Sequence, residues 1–231
     1  TNTTASQNTA VGSHSLLSNI TGAGNTAVGY QTLYSNTTAD DNTTVGYQSL
    51  RTCTTGFENV AIGRSALYAN TTGYRNTAVG RGAGETITTG NLNICIGRDA
   101  QPSSATANTQ CTFGDSNIGA LRCNVQSIGS LSDQRDKTEI IDSPYGLTFI
   151  NTVQPRQFKW ATRDGNIKDG KTRLGFIAQE LLTATDGKND VLDLVLDDNP
   201  NKLEATYGNL LPIMVKAIQE LSAKVKALEE A

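Results

Sequence analysis

Asn8-Thr9-Ala10-Val11-Gly12 returns as Asn25-Thr26-Ala27-Val28-Gly29, Asn42-Thr43-Thr44-Val45-Gly46, Asn59-Val60-Ala61-Ile62-Gly63, Asn76-Thr77-Ala78-Val79-Gly80 and Asn93-Ile94-Cys95-Ile96-Gly97, with the asparagines spaced by seventeen each time. Two weaker columns keep the same period. Leu16, Leu33, Leu50 and Leu67 recur before Gly84 takes their place, and the turn pairs Thr21-Gly22, Thr55-Gly56, Thr72-Gly73 and Thr89-Gly90 recur with Thr38-Ala39 as the exception. Phe113-Gly114 continues the register although Gln110 stands in the asparagine position, which makes the seventh unit degenerate. Each unit holds a short β-favouring stretch that alternates small and branched side chains, then a glycine that permits a turn at positive φ. One such coil cannot bury its own apolar side, but stacked coils share a continuous core, the logic of a solenoid.

Residues 1–114 are therefore expected to form an all-β parallel β-roll or β-helix of 17-residue repeats, a rod about 30 Å long at ~4.8 Å per coil. A core of Ala, Val and scattered Leu is thin, so partner chains are expected to help exclude water; a single-chain solenoid is the alternative. His14 occupies a position filled elsewhere by Gln31, Gln48, Ser65 and Gly82, which makes it a solvated loop residue. Tyr30, Tyr34, Tyr47 and Tyr68 either cover the roll or form a receptor stripe, with Tyr30 and Tyr47 the candidates for binding a host-cell surface receptor or glycan.

Composition excludes several classes. Nineteen Lys and Arg against twenty-two Asp and Glu, a net charge of −3, imply no face basic enough to bind nucleic acid. No apolar run approaches the ~18 residues of a membrane-spanning helix, so no membrane insertion is expected. The opening Thr-Asn-Thr-Thr, with neither Met nor an apolar targeting segment, reads as a soluble fragment of something longer. A single histidine and cysteines at 53, 95, 111 and 123 without a C-x-x-C pair signal no metal site and no cofactor. The cysteines read as small buried thiols or as disulfides that sequence does not assign.

Lysine marks a boundary. Residues 1–131 contain none, while residues 132–231 hold all nine together with the only tryptophan, Trp160. Within this second part, Gln157-Phe-Lys-Trp160 reads as a strand, Gly175-Phe-Ile-Ala-Gln-Glu180 as a strand running into a helix, and 162–171 as a polar turn. From Leu211 apolar residues step by three and four through Met214, Ile218, Leu221, Val225 and Leu228. That is a heptad seam, either a coiled coil or the buried face of a helix packed on its own domain. The expectation is an α+β domain over 132–231 ending in a coiled-coil helix, with 115–131 as connector.

The stretch Ser132-Asp133-Gln134-Arg135-Asp136-Lys137 sits at the boundary. On residues alone it reads as a helix N-cap with a charged first turn, or as a serine beside a potential base. Residues five apart point about 140° from each other on a regular helix, so Ser132 and Lys137 can meet only in an irregular loop or across two chains.

Two resemblances extend these readings. The Asn-Thr-Ala-Val-Gly units over roughly 8–114 resemble the head repeats of trimeric autotransporter adhesins, which implies three parallel β-rolls side by side with the small and branched residues turned inward. Ser132-Asp133-x-Arg135-x-Lys137, followed by Ile140 and Ile141, Phe158-Lys-Trp160, Gly175-Phe-Ile-Ala-Gln-Glu180 and Leu211-Pro-Ile-Met-Val-Lys-Ala-Ile-Gln-Glu-Leu221, resembles the intramolecular chaperone auto-processing domain of phage tail spikes and fibres. That resemblance implies a homotrimer, a fibre assembled in the host cytoplasm and carried on the virion, and a single-turnover serine peptidase. It places the scissile bond at Leu131-Ser132, with Ser132 as nucleophile and Lys137 as general base. Asp133 and Arg135 fill the remaining motif positions and hold the loop, and Gln179 and Glu180 are candidates for supporting the site. The alternatives are a bacterial surface adhesin whose last module is a non-cleaving trimerisation clamp, and a soluble Ser-Lys peptidase acting in trans.

The repeats give a physical reason for such a helper. A slip of seventeen residues between neighbouring chains preserves almost every pairing, so the repeats specify alignment weakly and a non-repeating module must set it.

Overall fold

The structure is a computed structural model that describes residues 4–118, 120–122, 132–161 and 170–231. The chain divides into two compact units, Thr1–Gly119 and Ala120–Ala231, so the boundary falls inside the connector read from the sequence.

The first unit is a parallel β-solenoid. Strands β1 (Thr9–Val11), β2 (Thr26–Val28), β3 (Thr43–Val45), β4 (Val60–Ile62), β5 (Thr77–Val79), β6 (Ile94–Ile96) and β7 (Cys111–Phe113) stack in sequence order into one sheet. Every pair is in register, residue upon residue seventeen later. The seventh coil, degenerate in sequence, still adds its strand. Glycine after each strand is required twice over. At Gly63 φ is +132°, and a Cβ there would stand 2.4 Å from the carbonyl oxygen of Gly80 in the next coil.

Period-two alternation decides which strand residue faces inward. The central residue does: Ala27, Thr44, Ala61 and Ala78 are 0% exposed and Cys95 1%. The branched residue after it therefore points out, and this corrects the expectation that the motif's Val and Ile build the core: Val45, Ile62 and Ile96 are 38–40% exposed. The leucine column replaces them. Leu33, Leu50 and Leu67 are fully buried, and Ile87 fills the space beside Gly84. A single roll thus dries its own core without a partner.

The repeated asparagines form a buried ladder. Asn59 receives the side-chain N–H of Asn76 at 3.2 Å and its backbone N–H at 3.0 Å on Oδ1, while its own Nδ2 donates to Asn42 Oδ1 at 3.0 Å and to the Gly73 carbonyl at 2.9 Å. Asn42 and Asn76 repeat this arrangement, and Asn25 and Asn93 end the ladder with part of it. A second column, Asn19, Asn36 and Asn70, folds its amides onto the turn three residues on. Cys53 takes that position in the third coil, its thiol donating to the Gly56 carbonyl.

The second unit is α+β. It contains α1 (Leu147–Ile150), the antiparallel pair β8 (Arg156–Phe158) and β9 (Arg173–Gly175), α2 (Ala178–Ala184), α3 (Asn189–Leu192), the antiparallel pair β10 (Val195–Leu196) and β11 (Glu204–Ala205), and α4 (Leu210–Glu229). The strand expected at 157–160 stops at Phe158, and of the turn expected at 162–171 only Gly170 and Lys171 lie among the described residues. Val153, Leu181, Leu192, Leu194, Val195, Leu210 and Ile213 form the core. The carboxylate of Glu220 on α4 accepts the Leu147 N–H at 2.9 Å and so caps α1. Gly146 leaves room for it, since a Cβ there would lie 2.5 Å from the carboxylate.

Helix α4 has two apolar faces. Leu210, Ile213 and Ala217 are buried against the unit's own core, while the heptad seam read from the sequence is uncovered, with Leu211 65%, Ile218 64%, Leu221 51% and Leu228 79% exposed. The seam and the buried face are thus different residues of one helix.

Candidate functional site

Asp133 opens a short turn of 3-10 helix, Gln134–Asp136, by accepting the Arg135 backbone N–H at 2.9 Å on its side chain. The Arg135 guanidinium returns to the same carboxylate, with Nη2 at 2.6 Å and Nε at 3.0 Å. This contact holds the Asp133 carboxyl below its ordinary pKa and the guanidinium above its own. The turn then stops. Lys137 is extended at φ −124° and ψ 141° and closes it through its N–H to the Gln134 carbonyl. That kink carries the Lys137 ammonium back over the start of the segment, where Nζ donates to Ser132 Oγ at 2.6 Å. Ser132 and Lys137 therefore meet within one chain, in an irregular loop, one of the two arrangements that the five-residue spacing allows.

The expected scissile bond involves Leu131, which lies outside the described residues. Ser132 through Asp142 are all exposed, and Ile140 and Ile141 stand 63% and 82% open. The structure does not bring Gln179 and Glu180 to the pair. Both lie in the first turn of α2; the Glu180 carboxylate is held by Arg156 at 2.8 and 2.9 Å and is lowered in pKa by that contact. Gln179 lines a cavity of about 450 Å³ with Phe158, Trp160, Phe176 and Tyr207.

Elsewhere, His14 is exposed at φ 60°, with Nδ1 2.8 Å from the neighbouring Ser13 hydroxyl. Tyr30 and Tyr47 are 41% and 46% exposed and stack on each other at 5.3 Å. Among the described residues no cluster of His, Cys, Asp and Glu could hold a metal ion, and no helix is long and apolar enough to cross a membrane. Cys53, Cys95 and Cys111 are free thiols; burial pushes Cys53 up to about 12 and Cys95 to about 11, so neither is a nucleophile. Sequence reasoning passed over the asparagine ladder and Glu220. The ladder was signalled by its strict period, whereas Glu220 carries no local signature.

Comparison with known proteins gives one match, to part of the chain. No curated protein and no solved structure matches the chain. Residues 132–189 match a peptidase family described as the chaperone of endosialidase, and the matched stretch begins at Ser132 itself.

Proposed function

We propose that this chain is part of a homotrimeric viral tail fibre or spike whose module from Ser132 aligns three β-rolls and then releases itself by cutting the Leu131-Ser132 bond. The observation that carries the reading is the 2.6 Å contact between Lys137 Nζ and Ser132 Oγ at the first residue of the matched family segment.

The chemistry follows from the positions. With Lys137 neutral, Nζ takes the proton of Ser132 Oγ, and Oγ attacks the carbonyl carbon of Leu131. The Oγ–C bond forms, the C–N bond to Ser132 breaks, and the proton passes to the leaving amine. Water then hydrolyses the ester, freeing the Ser132 hydroxyl and the Leu131 carboxylate. Asp133 and Arg135 act through the loop, fixing the turn that folds Lys137 back. A lysine is neutral at ordinary pH only where burial or nearby cations favour that form, and the segment is open to water in the single chain. Coverage by neighbouring chains is what would arm it, so cleavage follows assembly.

Two uncovered surfaces support the trimer: the α4 seam and the column of Val45, Ile62 and Ile96 on the roll. Once the helper has left, a rod that unfolds has nothing to realign it, and the fibre is kinetically locked. Its place is the virion, assembled in the host cytoplasm, and its partner there is a host-cell surface receptor or glycan.

The test is the intact mass, under denaturing conditions, of fresh wild-type chain beside Ser132→Ala and Lys137→Ala. Wild type is expected to divide into chains of 131 and 100 residues, which together make up the 231, while both variants stay whole. A wild type that stays whole as a folded trimer would overturn self-release and leave a trimerisation clamp of the adhesin kind.

A further inference from the structure

We infer that one edge of the β-roll, spanning Tyr30, Gln31, Tyr47, Gln48, Arg51 and Arg64, binds an acidic saccharide, one carrying carboxylate or sulfate groups. The inference concerns the first unit alone and does not depend on self-release.

The seventeen-residue period places these side chains in adjacent columns, each residue above its counterpart in the next coil. Tyr30 lies on Tyr47 at 5.3 Å and 19°, and the Arg64 guanidinium covers the next ring face at 5.6 Å from its centroid. One column away, Arg51 is held between the rings of Tyr34 and Tyr68 at 5.3 and 5.8 Å, and it donates to Gln31 Oε1 at 3.3 Å and to the Tyr68 hydroxyl at 3.1 Å. Gln48 donates to Gln31 at 2.8 Å, so the amides run along the edge as a ladder. Arg51 is thus fixed in direction by rings and an amide, and Arg64 lies over one ring, with no carboxylate on either. Among the described residues neither Arg51 nor Arg64 has an acidic partner. The acids of these coils, Asp40, Asp41 and Glu58, fall at other positions of the repeat, and Glu58 is held by Arg75 at 2.7 Å. Lower in the column of Arg64, Arg98 is answered by Asp115 at 2.9 Å, an acidic partner that Arg64 lacks.

The chemistry selects the partner. A guanidinium fixed in plane presents a fork that matches a carboxylate or a sulfate. The glutamine amides and tyrosine hydroxyls beside it offer donors and acceptors that hydroxyl-rich sugars can meet. Ring faces are what stack on nucleobases, and here the Tyr30 and Tyr47 rings cover each other, Arg64 covers the next face of Tyr47, and the His14 ring meets Tyr30 edge-on. Two cations over these coils are also sparse against a duplex that carries one phosphate per ~1.7 Å. A chain with occasional acidic groups fits this edge, and a polyphosphate does not.

The probes are an oligoguluronate for carboxylate, a heparin octasaccharide for sulfate, dextran as the neutral control and a dT20 oligonucleotide, each titrated into the full chain. Binding of at least one acidic saccharide is expected, with none to dextran, and it should weaken as salt rises from about 50 to about 200 mM. Arg51→Gln with Arg64→Gln should lower affinity by about tenfold or more. Arg64→Gln alone, at an exposed position, should lower affinity while leaving thermal unfolding of the roll unchanged, which separates lost binding from lost folding. The inference is overturned if neither acidic saccharide binds, if the double variant binds like wild type, or if dT20 binds more tightly than both.

Discussion

The roll and the module solve the same problem, burying apolar surface in a small unit, in opposite ways. In the roll each coil repeats the last, every hydrogen bond of the asparagine ladder has a copy seventeen residues away, and stability is a sum of nearly equal neighbour terms. In the module the described contacts follow no such period. Glu220 reaches seventy-three residues back to cap α1, and one cluster, centred on Leu181, Leu194 and Ile213, carries the core. Repetition makes the roll easy to extend and poor at choosing an alignment. Uniqueness makes the module able to choose one. Under the proposed function, the difference is why a fibre of repeats would gain from a non-repeating helper.

The sharpest way to break this comparison lies on α4, whose two faces belong to different tasks. Ile218→Glu together with Leu221→Glu changes only exposed seam residues, so a monomeric module should keep its helical circular dichroism. Trimer formation in analytical ultracentrifugation, and self-cleavage with it, should disappear. Ile213→Ala acts on the other face and should cost about 2–4 kcal/mol of unfolding free energy by opening a cavity in the core. If the double glutamate variant still assembles and cuts, alignment is not the module's work and the contrast between the two regions fails.

Next in size is the ladder, where position along the rod should matter. Asn59→Ala removes the acceptor of the buried Asn76 backbone N–H and the donor to the Gly73 carbonyl. An orphaned buried donor with a small cavity costs about 3 kcal/mol. Asn8→Ala, at the first coil, removes the acceptor of the Asn25 N–H and one of two donors to the Gly22 carbonyl, both at part-buried sites, and about 1 kcal/mol is expected. Denaturant titration of the two variants measures the ratio. Equal losses would mean that the coils do not act as a sum of neighbour terms.

The roll was legible in the sequence because its signal is repeated: seven strands fall on the Thr-Ala-Val register and one glycine column closes each corner. Periodicity alone does not settle which of two adjacent residues points inward: of the Ala, Val and Leu expected in the core, Ala61, Leu50 and Leu67 are there and Val45 is not. The leucines reach that core from a turn, at φ 49° and 52°, a conformation that composition does not disclose. In the module the closing helix is legible from its apolar spacing, while the burial of Leu210, Ile213 and Ala217 in place of the seam residues comes from contacts far away in the chain. The Ser132-Lys137 pair was legible as a motif. Its contact required the Asp133 cap and the extended Lys137, which depend on local backbone angles.

The smallest effect tests whether repetition also repeats strain. Of the left-handed turn positions that recur in each coil, one runs through Gly24 at φ +67°, Asp41 at 56°, Glu58 at 53°, Arg75 at 55°, Leu92 at 60° and Thr109 at 57°. Left-handed backbone costs an ordinary L-residue roughly 1–2 kcal/mol, and a glycine little. Glu58 and Arg75 offset part of this by pairing across coils at 2.7 Å. Leu92, 45% exposed, stands at the same turn with its side chain largely in water. Leu92→Gly should therefore stabilise the roll by about 0.5–1 kcal/mol, after the greater freedom that glycine gives the unfolded chain is subtracted. Arg75→Gly should give less or lose stability, because it removes the pair as well. A roll destabilised by Leu92→Gly would show that this leucine does packing work its exposure conceals, and that coils alike in sequence are not alike in energy.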